Sequence, residues 1–260
     1  SQERPLKTIQ SALLRAQEGD VVVLLPGTYR ESVVINKNNL TIKAEGTGVI
    51  IDGTERVELK PAPGTNYKQA IIENVESIEQ VFNEEKALSL WEARWPNVAP
   101  ERVWVDDRNF ASGWLGVSKG TGVIDGTKAA INYVGGKPNL SSNDELYIVY
   151  NLFSQFRTKF KKVNFQNTND GFRLTYDLDS RCELPSSEIT PCAQKNNALW
   201  WSDDYFYLLG SEKLLDTAGE FFFDQKSKAL KVIPTNAASS VVNIKVRPHA
   251  FILKSADNIS

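Results

Sequence analysis

The chain of 260 residues contains no methionine, one histidine and two cysteines. So few Cys and His cannot furnish a zinc centre, and no metal-ligand cluster is assigned. His249 has no second histidine with which to share acid–base work, and beside Pro248 it reads as structural. No apolar run approaches the ~18 residues of a membrane span. An excess of either charge is also missing, since 30 Lys and Arg face 32 Asp and Glu for a net −2. With no Lys/Arg-rich run and no aromatic RNA-binding signature, nucleic acid is excluded as a partner. The 41% hydrophobic and 24% charged residues are those of a globular chain, long enough for one large or two small domains. A start at Ser1 without methionine reads as a processed secretory protein or a fragment, so a secreted, extracellular or periplasmic location is expected.

The cysteines, Cys182 and Cys192, flank a loop shaped by Pro185 and Pro191 in RCELPSSEITPC. A disulfide there closes a short excursion and suits an oxidising compartment. The alternative is two unpaired thiols in a loop.

What the sequence does have is a run of very short β-branched segments. They are Val21–Leu25, Val33–Ile35, Leu40–Lys43 and Val49–Asp52, separated by Pro26-Gly27, Asn36–Asn39 and Gly46–Gly48. Strands this short and apolar on both faces cannot bury themselves as a hairpin sheet. They can do so as successive sides of a coil whose rungs stack and whose ends need caps, and the amphipathic segment before Val21 supplies the first cap.

The phrases Gly19-Asp20, Pro26-Gly27-Thr28-Tyr29, Glu31, Ile35 and Leu40-Thr41-Ile42 resemble the opening of right-handed parallel β-helix proteins of the pectin-lyase-like superfamily. The resemblance implies a protein that binds or cleaves polysaccharide. It also implies a choice of chemistries: uronate neutralisation, often by Ca²⁺, with a Lys or Arg base in lyases, or a carboxylate pair in hydrolases. No cofactor is identifiable from the residues themselves.

Around Glu55–Tyr67 the rung pattern dissolves into a Pro/Gly loop, and from Ala70 longer, aromatic-rich alternating strands take over. These include QVFNEEKALSLWEARW, LYIVYNLF, KVNFQ, GFRLTYDL, YFYLLG and GEFFFDQKSKALKVIP, with hairpin turns at Asn83–Glu85 and Asp224–Ser227. Short apolar runs return from Ala238, and the final FILKSADNIS reads as the coil resuming. The expected architecture is all-β. A cap and first rungs occupy 1–67, an inserted antiparallel β-sandwich or barrel occupies 68–236, and 237–260 return to the β-helix. The insert resembles those of some β-helix glycoside-degrading proteins in two scaffold phrases. These are Ala93-Arg94-Trp95-Pro96-Asn97 and Leu215-Asp216-Thr217-Ala218-Gly219-Glu220-Phe221, the latter followed by the strand Ala229–Pro234.

Among residues able to carry chemistry, Trp200, Trp201, Tyr205, Phe206 and Tyr207, interleaved with Asp203 and Asp204, form the densest aromatic–acidic cluster. Aromatic faces stack on sugar rings and carboxylates accept from hydroxyls, so a sugar platform is chemically sensible. Strand alternation places Trp201, Tyr205 and Tyr207 on one face and Trp200, Asp204 and Phe206 on the other, and one of the two faces belongs to the core. Arg94 can meet a sugar carboxylate bidentately, or it can stack on Trp91 or Trp95 and fix the strand end before Pro96. Trp200, Trp201, Tyr205 and Arg94 are therefore the candidate substrate-binding residues. The pairs Asp106/Asp107 and Asp203/Asp204 point to opposite faces as strand neighbours and do not span a glycosidic bond; the first reads as a polar turn. Gly120–Gly126 lacks the strand-to-helix setting of a phosphate cradle. The sequons at Asn39 and Asn139 decide nothing.

No catalytic residue is assigned, and the segment alone is expected to be inactive. Two functions remain open. One is the N-terminal portion of a secreted polysaccharide lyase or glycoside hydrolase whose catalytic rungs lie elsewhere. The other is a non-catalytic extracellular structural, adhesive or filament-forming protein. Expected partners are a polysaccharide and, at the open C-terminal end, further rungs or another copy, because an unpaired sheet edge must be covered.

Overall fold

The computed structural model describes residues 4–86, 88–97, 121–125, 128–151, 158–177 and 205–260. One α-helix, α1 (Ile9–Arg15), precedes a succession of short strands. These are β1 (Val21–Leu24), β2 (Gly27–Tyr29), β3 (Val33–Ile35), β4 (Thr41–Ala44), β5 (Val49–Ile51), β6 (Thr54–Glu58), β7 (Lys60–Pro61), β8 (Lys68–Ile71) and β9 (Val81–Asn83). Then come β10 (Trp91–Glu92), β11 (Arg94–Trp95), β12 (Thr121–Asp125), β13 (Lys128–Val134), β14 (Leu146–Asn151), β15 (Thr158–Asn167), β16 (Gly171–Asp177) and β17 (Tyr205–Leu209). The last are β18 (Glu220–Asp224), β19 (Ala229–Ile233), β20 (Val241–Lys245) and β21 (Phe251–Leu253). Among the described residues the protein is β apart from α1 and a 3₁₀ turn at Glu212–Leu214, and most of the strand pairs are antiparallel. Among the described residues no helix is long and apolar enough to cross a membrane. The chain divides into two compact units. One comprises Ser1–Leu59, Ile72–Ser89 and Ser240–Ser260, and the other Lys60–Ile71 and Leu90–Ser239.

In the first unit the rung-like segments pair in parallel, β1 with β4, β2 with β5 and β3 with β21. Val21 lies beside Thr41, Gly27 beside Val49 and Val33 beside Phe251. Ser260 adds a further layer, donating its N–H to Leu40 O and accepting from Ile42 N at 3.1 and 2.8 Å. Pro26-Gly27 was expected to be only a turn, yet Gly27–Tyr29 is a strand. Three residues carry too little alternation to announce a strand, and what extends them is the neighbour Val49–Ile51 in register beside them.

Inward residues Val22, Leu24, Val33, Ile35 and Leu40 form one core with Ile9, Leu13 and Ala16 of the helical segment. The helix is tied in at both ends. Glu31 accepts from the otherwise orphaned Ile9 and Gln10 amides at 2.8 and 2.9 Å, and Thr8 accepts from Ser11 N. Lys37 Nζ donates to the carbonyls of Leu13, Leu14 and Ala16. The Gln10 amide takes the place of a neighbouring strand, receiving Val34 N at 2.7 Å and donating to Val34 O at 3.1 Å. An exposed strand edge is satisfied by a side chain in this way.

An antiparallel sheet in the order β6–β20–β9 completes this unit. Its anchor is Asp52, which accepts from Thr54 N and Oγ1 at 2.9 and 2.7 Å, lies 3.4 Å from Arg30 and pairs with Lys86. Burial alone raises a carboxyl, but the Lys86 and Thr54 hydrogen bonds outweigh it and hold Asp52 at about 2.

The second unit contains a seven-stranded sheet, β11–β17–β14–β15–β16–β13–β12, and a five-stranded sheet, β10–β18–β19–β8–β7. The larger sheet's alternation sends Leu146, Ile148, Phe165, Phe172, Leu174, Phe206 and Leu208 into one core. Phe172 lies 4.9 Å from Tyr133, 5.1 Å from Phe165 and 5.2 Å from Trp95 between ring centroids. The segment QVFNEEKALSLWEARW, expected as long strand, is instead broken into the short pieces β9, β10 and β11. Its apolar residues serve different sheets: Val81 sits in the β6–β20–β9 sheet, Trp91 in the five-stranded and Trp95 in the seven-stranded one.

Candidate functional site

The two scaffold phrases, more than a hundred residues apart in sequence, meet in the second unit. Trp91 N donates to Gly219 O at 2.9 Å and Ala93 N to Phe221 O at 2.7 Å, so β10 runs parallel to β18. Asn97 Nδ2 then donates to Asp216 Oδ1 at 2.8 Å and Thr217 Oγ1 at 2.6 Å. Gly219 makes the turn into β18 with φ +91°, a conformation that side chains resist. After one residue the segment changes partner, and Arg94 and Trp95 pair with Leu209 and Leu208 of β17. Leu90–Trp95 is thus handed from the five-stranded sheet to the seven-stranded one.

Of the residues that sequence singled out, Trp200, Trp201, Asp203, Asp204, Asp106, Asp107, Cys182 and Cys192 lie outside the described residues. Tyr205 opens β17, paired with Asn151. Phe206 is fully buried in the core, 6.3 Å from Phe172 and 6.5 Å from Trp95, so the face it shares is the core face. Tyr207, one residue on, is half-buried on the opposite face.

Arg94 reaches that same opposite face. Its guanidinium carbon sits 3.6 Å from the centroid of Tyr207 and 5.9 Å from that of Trp91. Stacking on Trp91 is therefore part of its setting, and Tyr207 is the closer ring. The side chain is 8% exposed, whereas Trp91 beside it is 44% exposed. Burial pulls the Arg94 guanidinium down from its ordinary value, opposed by Tyr207, Glu220 and Glu92. Burial raises the Tyr207 hydroxyl, opposed by Arg94 and reinforced by Glu92. Glu92 leaves part of its side chain in solvent, yet burial raises its carboxyl, with Arg94 pulling the other way.

Glu220 was not singled out from the sequence, except as one letter of a scaffold phrase. It is 2% exposed, and its Oε2 accepts from the Asp216 and Thr217 amides at 3.3 Å. Among the described residues its buried Oε1 has no hydrogen-bond partner. Burial raises it to about 7 against the lowering hydrogen bonds from Asp216, Thr217 and the Arg94 backbone. The sequence signal was the position itself, a glutamate opening the strand EFFFD ahead of three phenylalanines.

Two carboxylates near an arginine invite comparison with a hydrolytic pair. The register argues otherwise: Glu220 is in line with Trp91 and Glu92 with Phe221, so the two leave opposite faces of the sheet. A scissile bond needs both on one side. On the Trp91 side the setting offers an exposed indole and a guanidinium over a phenol ring, while Glu92, the next residue, leaves from the other face. Those are recognition chemistries. Among the described residues no group of three or more His, Cys, Asp and Glu is arranged to hold a metal.

No family model matches the sequence, and no curated protein matches it. A solved structure titled "Glycoside hydrolase" is similar in fold, with a TM-score of 0.57 and 15% sequence identity. The likeness covers 98% of this chain and 47% of that one, so the chain spans about half the length of the structure it resembles. At that identity the likeness concerns the fold.

Proposed function

We propose that the chain is the N-terminal portion of a secreted, carbohydrate-active β-helix protein, a polysaccharide lyase or glycoside hydrolase, whose catalytic residues lie on rungs outside this segment. The observation that carries the reading is the set of three parallel pairs, β1–β4, β2–β5 and β3–β21, with Ser260 laid on Thr41 as Thr41 lies on Val21. Successive strands paired in this way, with α1 packed on β1 and β3, support the reading of coil rungs under a cap. The fold likeness to a glycoside hydrolase supports the carbohydrate-active class. Within this segment the work is binding, and the patch around Arg94 is its seat. Trp200, Trp201 and Tyr205 are further candidates of the same chemistry by sequence. A Cys182–Cys192 bridge suits the secreted setting.

The test is affinity electrophoresis of the purified chain through gels containing neutral or uronic polysaccharides, with product analysis in parallel. Retardation by at least one polymer is expected, without new reducing ends or ultraviolet-absorbing unsaturated products. Passage through every gel unretarded would defeat the carbohydrate reading in favour of a structural protein.

A further inference from the structure

We infer that Arg30 and Lys86, brought together on Asp52 in the first unit, form a site for an oxyanion carried by a glycan, either a uronate carboxylate or a sulfate ester. This rests on the carbohydrate reading above and gives it a ligand class. Arg30 follows β2 and Asp52 follows β5. The parallel register sets Tyr29 beside Ile51, and Asp52 N donates to Tyr29 O at 2.8 Å, so the two residues are stacked neighbours. Lys86 arrives from the turn after β9, its N–H on Asn83 O at 3.0 Å. Its φ of +56° is a left-handed conformation that a lysine adopts at a cost, and such strain points to a demand on where the side chain goes.

The charges at this place do not balance. Asp52 Oδ1 takes the Thr54 N–H and hydroxyl, and both cations share Oδ2, Lys86 by direct pairing and Arg30 Nε from 3.4 Å. One carboxylate, 6% exposed, therefore meets two cations whose side chains are 44% and 35% exposed. A single counter-charge suffices for it, and the second is surplus. The unit's other ion pairs are one to one, Arg247 with Glu55 and Arg56 with Glu84. Of the acidic residues adjoining the two cations in sequence, Glu31 is spent on the first amides of α1 and Glu84 on Arg56, while Glu85 is exposed and screened by water. Among the described residues the Arg30 guanidinium has no other ion pair or hydrogen bond, so its terminal nitrogens remain as donors. An oxyanion accepts from that guanidinium and from the neighbouring ammonium in charge-assisted bonds, on cations that Asp52 already orients. A neutral hydroxyl leaves the surplus charge unmet.

The experiment runs the full chain, Arg30→Gln and, as a control, the exposed Lys43→Gln through gels carrying polygalacturonate, dextran sulfate or dextran. Far-ultraviolet melting curves check folding, which Arg30→Gln should keep because Lys86 still pairs with Asp52. At least one charged polymer is expected to retard the full chain, and which one does so distinguishes carboxylate from sulfate. Arg30→Gln should weaken that interaction by about tenfold, and Lys43→Gln should leave it nearly unchanged. Retardation of the full chain should also vanish in about 1 M salt, where the Debye length falls to about 3 Å. Retardation that survives such salt, is unchanged in Arg30→Gln, or falls equally in Lys43→Gln would overturn the inference. Retardation by dextran alone would overturn it while leaving the carbohydrate reading standing. Passage unretarded through all three gels would likewise overturn it, and the wider set of polymers above then decides the carbohydrate reading separately.

Discussion

Glu220 makes the second unit's stability fall as the solution becomes less acidic. Its carboxyl is raised from 4.5 to about 7 in the folded chain, which at about 1.4 kcal/mol per tenfold corresponds to about 3 kcal/mol. Below pH 4.5 the group is protonated in both folded and unfolded states, and its burial carries no ionisation penalty. Between 4.5 and about 7 the unfolded chain sheds the proton while the folded chain keeps it, so stability declines. Above that window both forms are ionised and the full loss has accrued. Glu220→Gln removes the ionisation but leaves amide hydrogens beside a site where Oε1 had no partner, a fixed cost of about 1–2 kcal/mol. The informative quantity is therefore the difference between pH 8 and pH 4 in the variant's effect, where the fixed cost cancels. That difference should be about 3 kcal/mol in favour of glutamine at pH 8. All six tryptophans fall between Trp91 and Trp201, within the second unit, so urea denaturation followed by indole fluorescence reports on this unit alone. An unchanged pH slope in Glu220→Gln would refute the assignment of a buried, proton-retaining carboxyl to this position.

On the acid side the sign reverses. Asp144 accepts from Lys213 Nζ, Ser141 and Ser211, and these bonds outweigh burial and hold it at about 2. Its contribution is present above pH 3.8 and is lost as pH falls towards 2, so Asp144→Asn should cost about 2 kcal/mol at pH 5 by the same fluorescence assay. Phe172→Ala empties the centre of the aromatic cluster and should destabilise the unit by about 3–5 kcal/mol in urea titrations. Gly171→Ala would set a Cβ 1.9 Å from Tyr133 O, so the β13–β16 pairing should fail and the variant should be recovered poorly or melt far below the parent. Glu31→Ala strips the acceptor from the first amides of α1, and hydrogen exchange at Ile9 and Gln10 should quicken by roughly fivefold, about 1 kcal/mol.

The sequence by itself determined that the chain is made of short β-branched runs followed by aromatic-rich strands whose side chains alternate, without saying which face is inward. The short β-branched runs around Val22, Val33 and Ile42 and the alternation through Phe206 and Tyr207 are local patterns, and burial follows them because a strand's side chains alternate whatever its partner. It likewise marked ARWPN and LDTAGEF as phrases of interest and offered Arg94 a stacking partner in Trp91. Only the tertiary structure decided pairing. That β2 is a strand depends on Val49–Ile51 lying in register, and that β10 and β11 separate depends on sheets whose other strands lie far along the chain. The Arg94 patch is of the same kind. Tyr207 and Glu220 reach it from more than a hundred residues away, and no local spacing encodes that approach. Glu220 was hidden for a further reason: a glutamate's proton affinity is set by the water it loses and by the amides around it, and both exist only once the chain has closed over it.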